Sequence, residues 1–154
     1  MTTFTLRLSP VSAKYLRYYH DSPTGKPVPI ARQFMHLIKL LVEPHSNGVS
    51  PSCEPGQEEI KLEVGDFYTR FKFDARCAIH IPPHKMEMLD VTLTRLFEFE
   101  INVTVDAYLS AGKMQKDAIL SVFDKYDIDG DLDYSYDRAH KMNQRYRNRQ
   151  SLTA

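Results

Sequence analysis

The chain has little of what usually announces chemistry. Cysteine occurs only twice, at Cys53 and Cys77. Without a secretion signal, that spacing reads as two reduced thiols rather than a disulfide framework. No run approaches the ~18 consecutive apolar residues of a membrane span. The opening MTTFTLRLSP lacks the apolar core and cleavage site of an export signal. The expectation is a cytoplasmic protein, or part of a particle assembled in the cytoplasm, with no membrane partner. The six glycines build neither a phosphate-cradling loop nor a nucleophile elbow, and no Ser/His/Asp grouping shows local logic. That points to a non-enzymatic protein without a cofactor. Net charge is zero, which removes the simplest argument for a nucleic-acid partner.

What is present is globular. At 154 residues, with 42% hydrophobic and 11% aromatic content, the chain has enough apolar surface for one shared core and too much for disorder. One compact domain over 1–154 is expected, divisible into a strand–helix–helix unit (1–45), a hairpin plus long helix (58–112) and a helix–loop–helix (113–154). The zero net charge conceals blocks. Residues 1–45 hold six Lys/Arg against two acids, 46–111 hold six against eleven, and 112–154 hold eight against seven. Charge segregated this way is placed for contacts, within the fold or between subunits.

From Thr3 to Leu8, Phe4, Leu6 and Leu8 alternate with Thr3, Thr5 and Arg7, which is strand periodicity. Ser9-Pro10 then supplies an N-cap and a proline at the first helical position. Val11, Tyr15, Tyr18 and Tyr19 are expected on one face of the following helix. A second helix is expected over about 29–42, with Ile30, Phe34, Leu37, Ile38 and Leu41 as its apolar stripe. This strand–helix–helix order resembles the ribbon-helix-helix family of DNA-binding proteins, over about a quarter of the chain. The resemblance implies two chains pairing their strands into a ribbon in the major groove. Thr3, Thr5 and Arg7 would then read base edges, and Ile30-Ala31-Arg32 would open the phosphate-facing turn. The connecting loop departs from the family in carrying Pro23, Pro27 and Pro29.

His45 to Gln57 reads as a loop and as the best boundary. Next, Ile60, Leu62 and Val64 alternate, Gly65-Asp66 offers a two-residue turn, and Phe67, Thr69, Phe71 and Phe73 follow, which predicts a β-hairpin. Ala78 to Ile81 would add a short strand ended by Pro82-Pro83. From His84 to Ser110 the period is helical, with a break expected at the β-branched run Ile101-Asn102-Val103-Thr104-Val105. Ala111-Gly112 is a helix C-cap signal.

The last third holds the most concentrated charge. A helix carrying Ile119, Val122, Phe123 and Tyr126 leads into an acidic loop with Asp127, Asp129, Gly130, Asp131 and Asp133. A basic helix closes the chain. Asp127-Ile128-Asp129-Gly130-Asp131 resembles the opening of an EF-hand, which implies Asp127, Asp129 and Asp131 as calcium ligands. The sequence departs from that pattern at Leu132, Tyr134 and Arg138, where a cation stands in place of the closing bidentate Glu. The competing reading makes the aspartates helix-dipole partners and caps, with Asp131 or Asp133 capping free N–H groups and Asp137 pairing with Lys141. A zinc set could be drawn from Cys53, Cys77, His80 and His84; neither metal reading is preferred.

In the basic helix, Arg138, Lys141, Gln144, Arg145, Arg147 and Arg149 combine phosphate partners with an amide able to reach a base edge. The helix pair is similar in outline to a helix-turn-helix, but its loop is longer and its leading residues are aspartates that repel phosphate. Contact is therefore expected through the far end, Arg145 to Arg149. The sequence points to an α+β protein, helix-dominated, with a small antiparallel sheet and a C-terminal helical hairpin. Its leading function is nucleic-acid binding or regulation, of the kind carried by a phage or mobile element, and it is expected to form a homo-oligomer. The alternatives are a structural or assembly protein mating through complementary charge blocks, in contact with itself or another protein, and a degenerate calcium-binding module.

Overall fold

The alternation at the N-terminus forms a strand, β1 (Thr3–Leu8), that buries Phe4, Leu6 and Leu8 and turns Thr3 and Thr5 outward. The computed structural model describes residues 3–30, 32–44, 54–63, 70–72 and 79–154. Helix α1 (Pro10–Tyr19) starts where the sequence places it, with Ser9 as N-cap and proline at the first position. Strand β2 (Val28–Pro29), helix α2 (Arg32–Leu41) and strand β3 (Glu43–Pro44) follow. Then come β4 (Glu58–Glu63) and β5 (Ile79–His80). Three helices complete the chain: α3 (Pro83–Ser110), α4 (Gln115–Tyr126) and α5 (Tyr136–Thr153). The fold is α+β and helix-dominated, with a small sheet and a C-terminal helical pair.

Strand β4 is the centre of the sheet, whose order is β1-β4-β2. It pairs antiparallel with β1 from Thr3↔Glu63 to Leu8↔Glu58, and parallel with β2 at Val28↔Leu62 and Pro29↔Glu63. This corrects the expected hairpin. A Gly65-Asp66 turn would have to lay the following strand against Leu62 and Glu63, and both edges of β4 are occupied there. Arg70 and Phe71 form part of a helical turn instead, and Lys72 adopts a φ of 55°. The remainder of that segment lies outside the described residues. The strand expected near residue 79 exists, but as β5 it pairs with β3 in a separate two-stranded sheet.

Two apolar clusters share α3. Near its start, Leu89 and Leu93 pack with the inner sheet face (Leu6, Leu8, Ile60, Leu62) and with Leu16 and Ile38. Further on, Phe97, Ile101 and Val105 pack with Ile119, Val122, Phe123 and Tyr126 of α4. The helix spans 28 residues, about 42 Å, and runs unbroken through the β-branched segment. The expected break is absent because Ile101 and Val105 are buried completely. That burial outweighs the few tenths of a kcal/mol each β-branched residue costs in a helix. Gly112, at a φ of 73°, is the residue after the Ala111 C-cap, where a side chain would be strained.

Helix α1 follows the expectation at Val11, which is buried, and at Tyr15, which packs against the core, and departs from it at Tyr18 and Tyr19. Val11, Ser12, Ala13 and Leu16 are its buried residues, while Tyr18 and Tyr19 are exposed. Polar ties to α3 set the rotation. The Ser9 N–H and hydroxyl both donate to Asp90 Oδ1, at 2.9 and 2.8 Å. The Ser12 hydroxyl donates to the Asp90 carbonyl and meets Thr94 Oγ1, both at 3.1 Å. A carboxylate from α3 thus sits at the positive end of α1, where the helix dipole favours it. The α2 stripe follows the sequence reading, with Ile38 and Leu41 buried and Phe34 and Leu37 packed beside them. No helix among the described residues is long and apolar enough to cross a membrane.

Candidate nucleic-acid interface

The basic helix is positioned by the loop before it. Asp127 closes α4 in the left-handed conformation, at a φ of 55°, which Asp tolerates better than most residues. Asp129 Oδ1 accepts the N–H groups of Asp131 and Leu132, at 2.8 and 3.1 Å, and these bonds hold its carboxyl below the usual range. Asp133 Oδ2 accepts the Asp129 N–H at 2.7 Å and the Lys14 ammonium at 2.7 Å. Burial works against the Lys14 charge, but Asp133 more than offsets it and holds the ammonium above its ordinary value.

The Asp129 and Asp133 carboxylates are thus engaged by backbone and by Lys14. Among the described residues no group of three His, Cys, Asp or Glu is arranged to hold a metal. Of the zinc set, His80 lies in β5 and His84 in the first turn of α3, while Cys53 and Cys77 lie outside the described residues. The capping expectation also needs correction. Neither Asp131 nor Asp133 caps α5; Ser135 does, its hydroxyl accepting the Arg138 N–H at 3.1 Å. The sequence Ser135-x-x-Arg138 lacks the Glu of a capping box, so the signal was weak but present.

Helix α5 packs through Ala139 and Asn143, with Tyr136 and Met142 beside them. Asn143, fully buried, donates from Nδ2 to Asn102 Oδ1 at 2.8 Å and accepts from Gln115 Nε2 at 2.7 Å. This amide chain joins α3, α4 and α5, and no sequence motif advertises it. The basic residues then separate into two groups. Arg138 donates to Glu98 Oε1 at 3.3 Å and lies 4.4 Å from the Tyr134 ring centroid. Lys141 pairs with Asp137 at 2.7 Å, as its spacing suggests. Gln144 contacts His140 at 3.5 Å.

The side chains of Arg145, Arg147 and Arg149 have no hydrogen bond or ion pair among the described residues. From Arg147 to Ala154 every residue is exposed, around the whole helix, so the last turns stand clear of the body. No acid occurs after Asp137. A rotation of 100° per residue puts Arg145 and Arg149 on one side, with Lys141 and Asn148 nearby and Arg147 turned away.

The other sequence-derived candidates sit elsewhere. Thr3 and Thr5 are on the outer face of β1, where Thr3 stands opposite Glu63, Thr5 opposite Lys61 and Arg7 opposite Glu59. That face carries both signs, and Arg7 Nε is buried without a hydrogen-bond partner among the described residues. Arg32 begins α2, with its side chain outside the described residues, as is all of Ala31. An open cleft of about 840 Å³ lies between the ends of α1 and α4, lined by Lys14, Arg17, Tyr18, Tyr19, Lys125 and Tyr126 among others. Two of its cations are already neutralised, Lys14 by Asp133 and Lys125 by Glu100.

Beside that cleft, the Tyr126 hydroxyl donates to Glu100, which also receives Lys125, while the Tyr134 hydroxyl donates to Glu98 at 2.6 Å. Burial first, and the neighbouring carboxylate second, push the Tyr126 and Tyr134 phenols well above their ordinary value; burial and Tyr19 do the same for Tyr15. The native state therefore keeps these protons where the unfolded chain releases them. Their stabilisation is complete below the ordinary tyrosine value of about 10 and is lost as pH climbs above it. A spectrophotometric titration of the nine tyrosines checks this. These three should ionise together with loss of the helical circular dichroism signal. Smooth titration of all nine with helicity intact would contradict this.

Compared with protein-family models, curated proteins and solved structures, the chain matches none.

Proposed function

We propose that this chain is a non-enzymatic nucleic-acid-binding protein that grips the phosphate backbone through the end of α5. One observation carries the reading: Arg145, Arg147 and Arg149 project on a helix end that no acid neutralises and no part of the described fold covers. Protein-internal pairing satisfies Arg138 and Lys141, so their charge is largely spent, while the three terminal arginines remain available to phosphate. Contact is assigned to α5 rather than to the outer face of β1, because Glu59 and Glu63 stand beside Arg7 and Thr3 there. Contacts of this kind position a protein on a duplex and carry little sequence information.

A fluorescence titration against random duplex DNA tests the proposal. With about three phosphates neutralised, log affinity should fall with log salt at a slope near −2.7, roughly 40-fold between 50 and 200 mM. Replacing Arg145 and Arg149 together by Glu should abolish binding at low salt while leaving the thermal melt unchanged, since both are exposed. Absence of binding by the parent chain at low salt, or binding insensitive to salt, would sink the reading.

A second reading, an assembly protein that associates with itself, is favoured by a separate observation on α3.

A further inference from the structure

We propose that the outward face of α3 is a self-association surface, on which two copies pack their α3 helices antiparallel about a two-fold axis near Ile101. Helix α3 is apolar on two sides. Leu89, Leu93, Phe97, Ile101 and Val105 are buried in the fold. Met88, Val91, Leu96, Phe99 and Val103 are exposed, at 61%, 43%, 46%, 62% and 48%. A helix with a single core-facing stripe would be polar on that outer side. Leu96, Phe99 and Val103 fall within an arc of about 60°, and their spacing of three and four residues is that of a helix–helix seam. The arc opens between the two packed helices. Glu100, on one side of it, meets Tyr126 and Lys125 of α4, while Glu98 and Asn102, on the other, meet Arg138 and Asn143 of α5.

Charge selects the occupant and its direction. Arg95 and Asp106 are exposed and lie on one flank of this stripe. Arg95 has no ionic partner among the described residues, and the Asp106 carboxylate accepts only the Tyr146 hydroxyl there, at 3.3 Å. In a parallel pair Arg95 and Asp106 would stay about 17 Å apart along the axis and could not meet. In an antiparallel pair centred at Ile101, Arg95 of each copy comes opposite Asp106 of the other, once at each end. A register within one residue of this one sets Phe99 against Val103 twice. The surface is therefore complementary to itself, as a two-fold interface requires. A seam from Arg95 to Asp106 is about 17 Å long and gives a small interface, of the size that weak and transient pairs bury. The dimer should accordingly form and dissociate with concentration.

Sedimentation equilibrium on the full chain, over a dilution series, should show mass rising from one to two copies and no further. Phe99→Glu should hold the chain as a monomer while its melt and helical signal stay those of the parent. Arg95→Asp and Asp106→Arg should each weaken the dimer about tenfold, since each places two like-charge contacts in it. The double swap should restore the parent dissociation constant. A parent chain that stays monomeric at every concentration overturns the proposal. So does a Phe99→Glu chain that still dimerises, or a double swap no tighter than either single.

Discussion

Phe97→Ala should cost about 4 kcal/mol of unfolding free energy, read as a lowered midpoint in chemical denaturation with the slope unchanged. Phe97 is fully buried and stands at the meeting point of three other rings. Its centroid is 5.3 Å from Tyr134, 5.8 Å from Tyr126 and 6.2 Å from Phe123. Truncation would remove the side chain that joins α3 to α4 and to the loop before α5. Those neighbours cannot collapse into the space, because hydrogen bonds to Glu100 and Glu98 hold Tyr126 and Tyr134 in place. The loss is a large part of the 5–15 kcal/mol that stabilises an ordinary domain. Phe99→Ala, two residues away on the exposed side, should change stability by less than about 0.5 kcal/mol. Equal costs at the two positions would mean that the division of α3 into buried and exposed faces is wrong.

That division marks where the sequence stops being legible. Strand β1, the Ser9-Pro10 helix start, the α2 stripe, the Gly112 stop and the α4 face were all readable. Each is governed by local periodicity or by the conformational limits of one residue. The hairpin at Gly65-Asp66 was misread because pairing depends on which edges of β4 remain free, and β1 and β2, distant in sequence, had taken them. The face of α1 was misread at Tyr18 and Tyr19 for a related reason. Tyrosine is apolar enough to look like core, yet Ser12 was drawn inward by Asp90 and Thr94 of α3. In α3 apolar residues occur on both sides, with Leu96 exposed and Phe97 buried. A helix with apolar residues on two sides offers no internal means of telling which side the chain itself will cover.

The basic helix shows the same limit in electrostatics. Its arginines look equivalent in the sequence, but their availability depends on acids far away along the chain. Glu98 neutralises Arg138 from forty residues away, whereas the terminal three find no partner because the body ends before they do. Pairing with an acid, not composition, separates a structural cation such as Arg138 or Lys141 from one free to meet phosphate.

Asn143→Leu should destabilise the chain by about 3 kcal/mol, although Leu is similar in size and a better helix former. The reason is what it leaves behind. Asn102 Oδ1 would lose its donor and Gln115 Nε2 its acceptor, and Asn102 has little access to water because it too is buried. Replacing both partners, Asn102→Leu with Asn143→Leu, should cost less than the sum of the two single changes, because no amide is then stranded between α3 and α5. A double-mutant cycle should give a coupling energy of about 1–3 kcal/mol. Strictly additive costs would show that the two amides act independently. The cycle also bears on function. Asn143 is the last fully buried residue of α5, two residues before the free arginines begin, and its bond to Asn102 fixes the rotation of the helix beyond it. The Asn143→Leu chain, assayed where it remains folded, should therefore bind duplex DNA with an unchanged salt slope, because the arginines it presents are the same three.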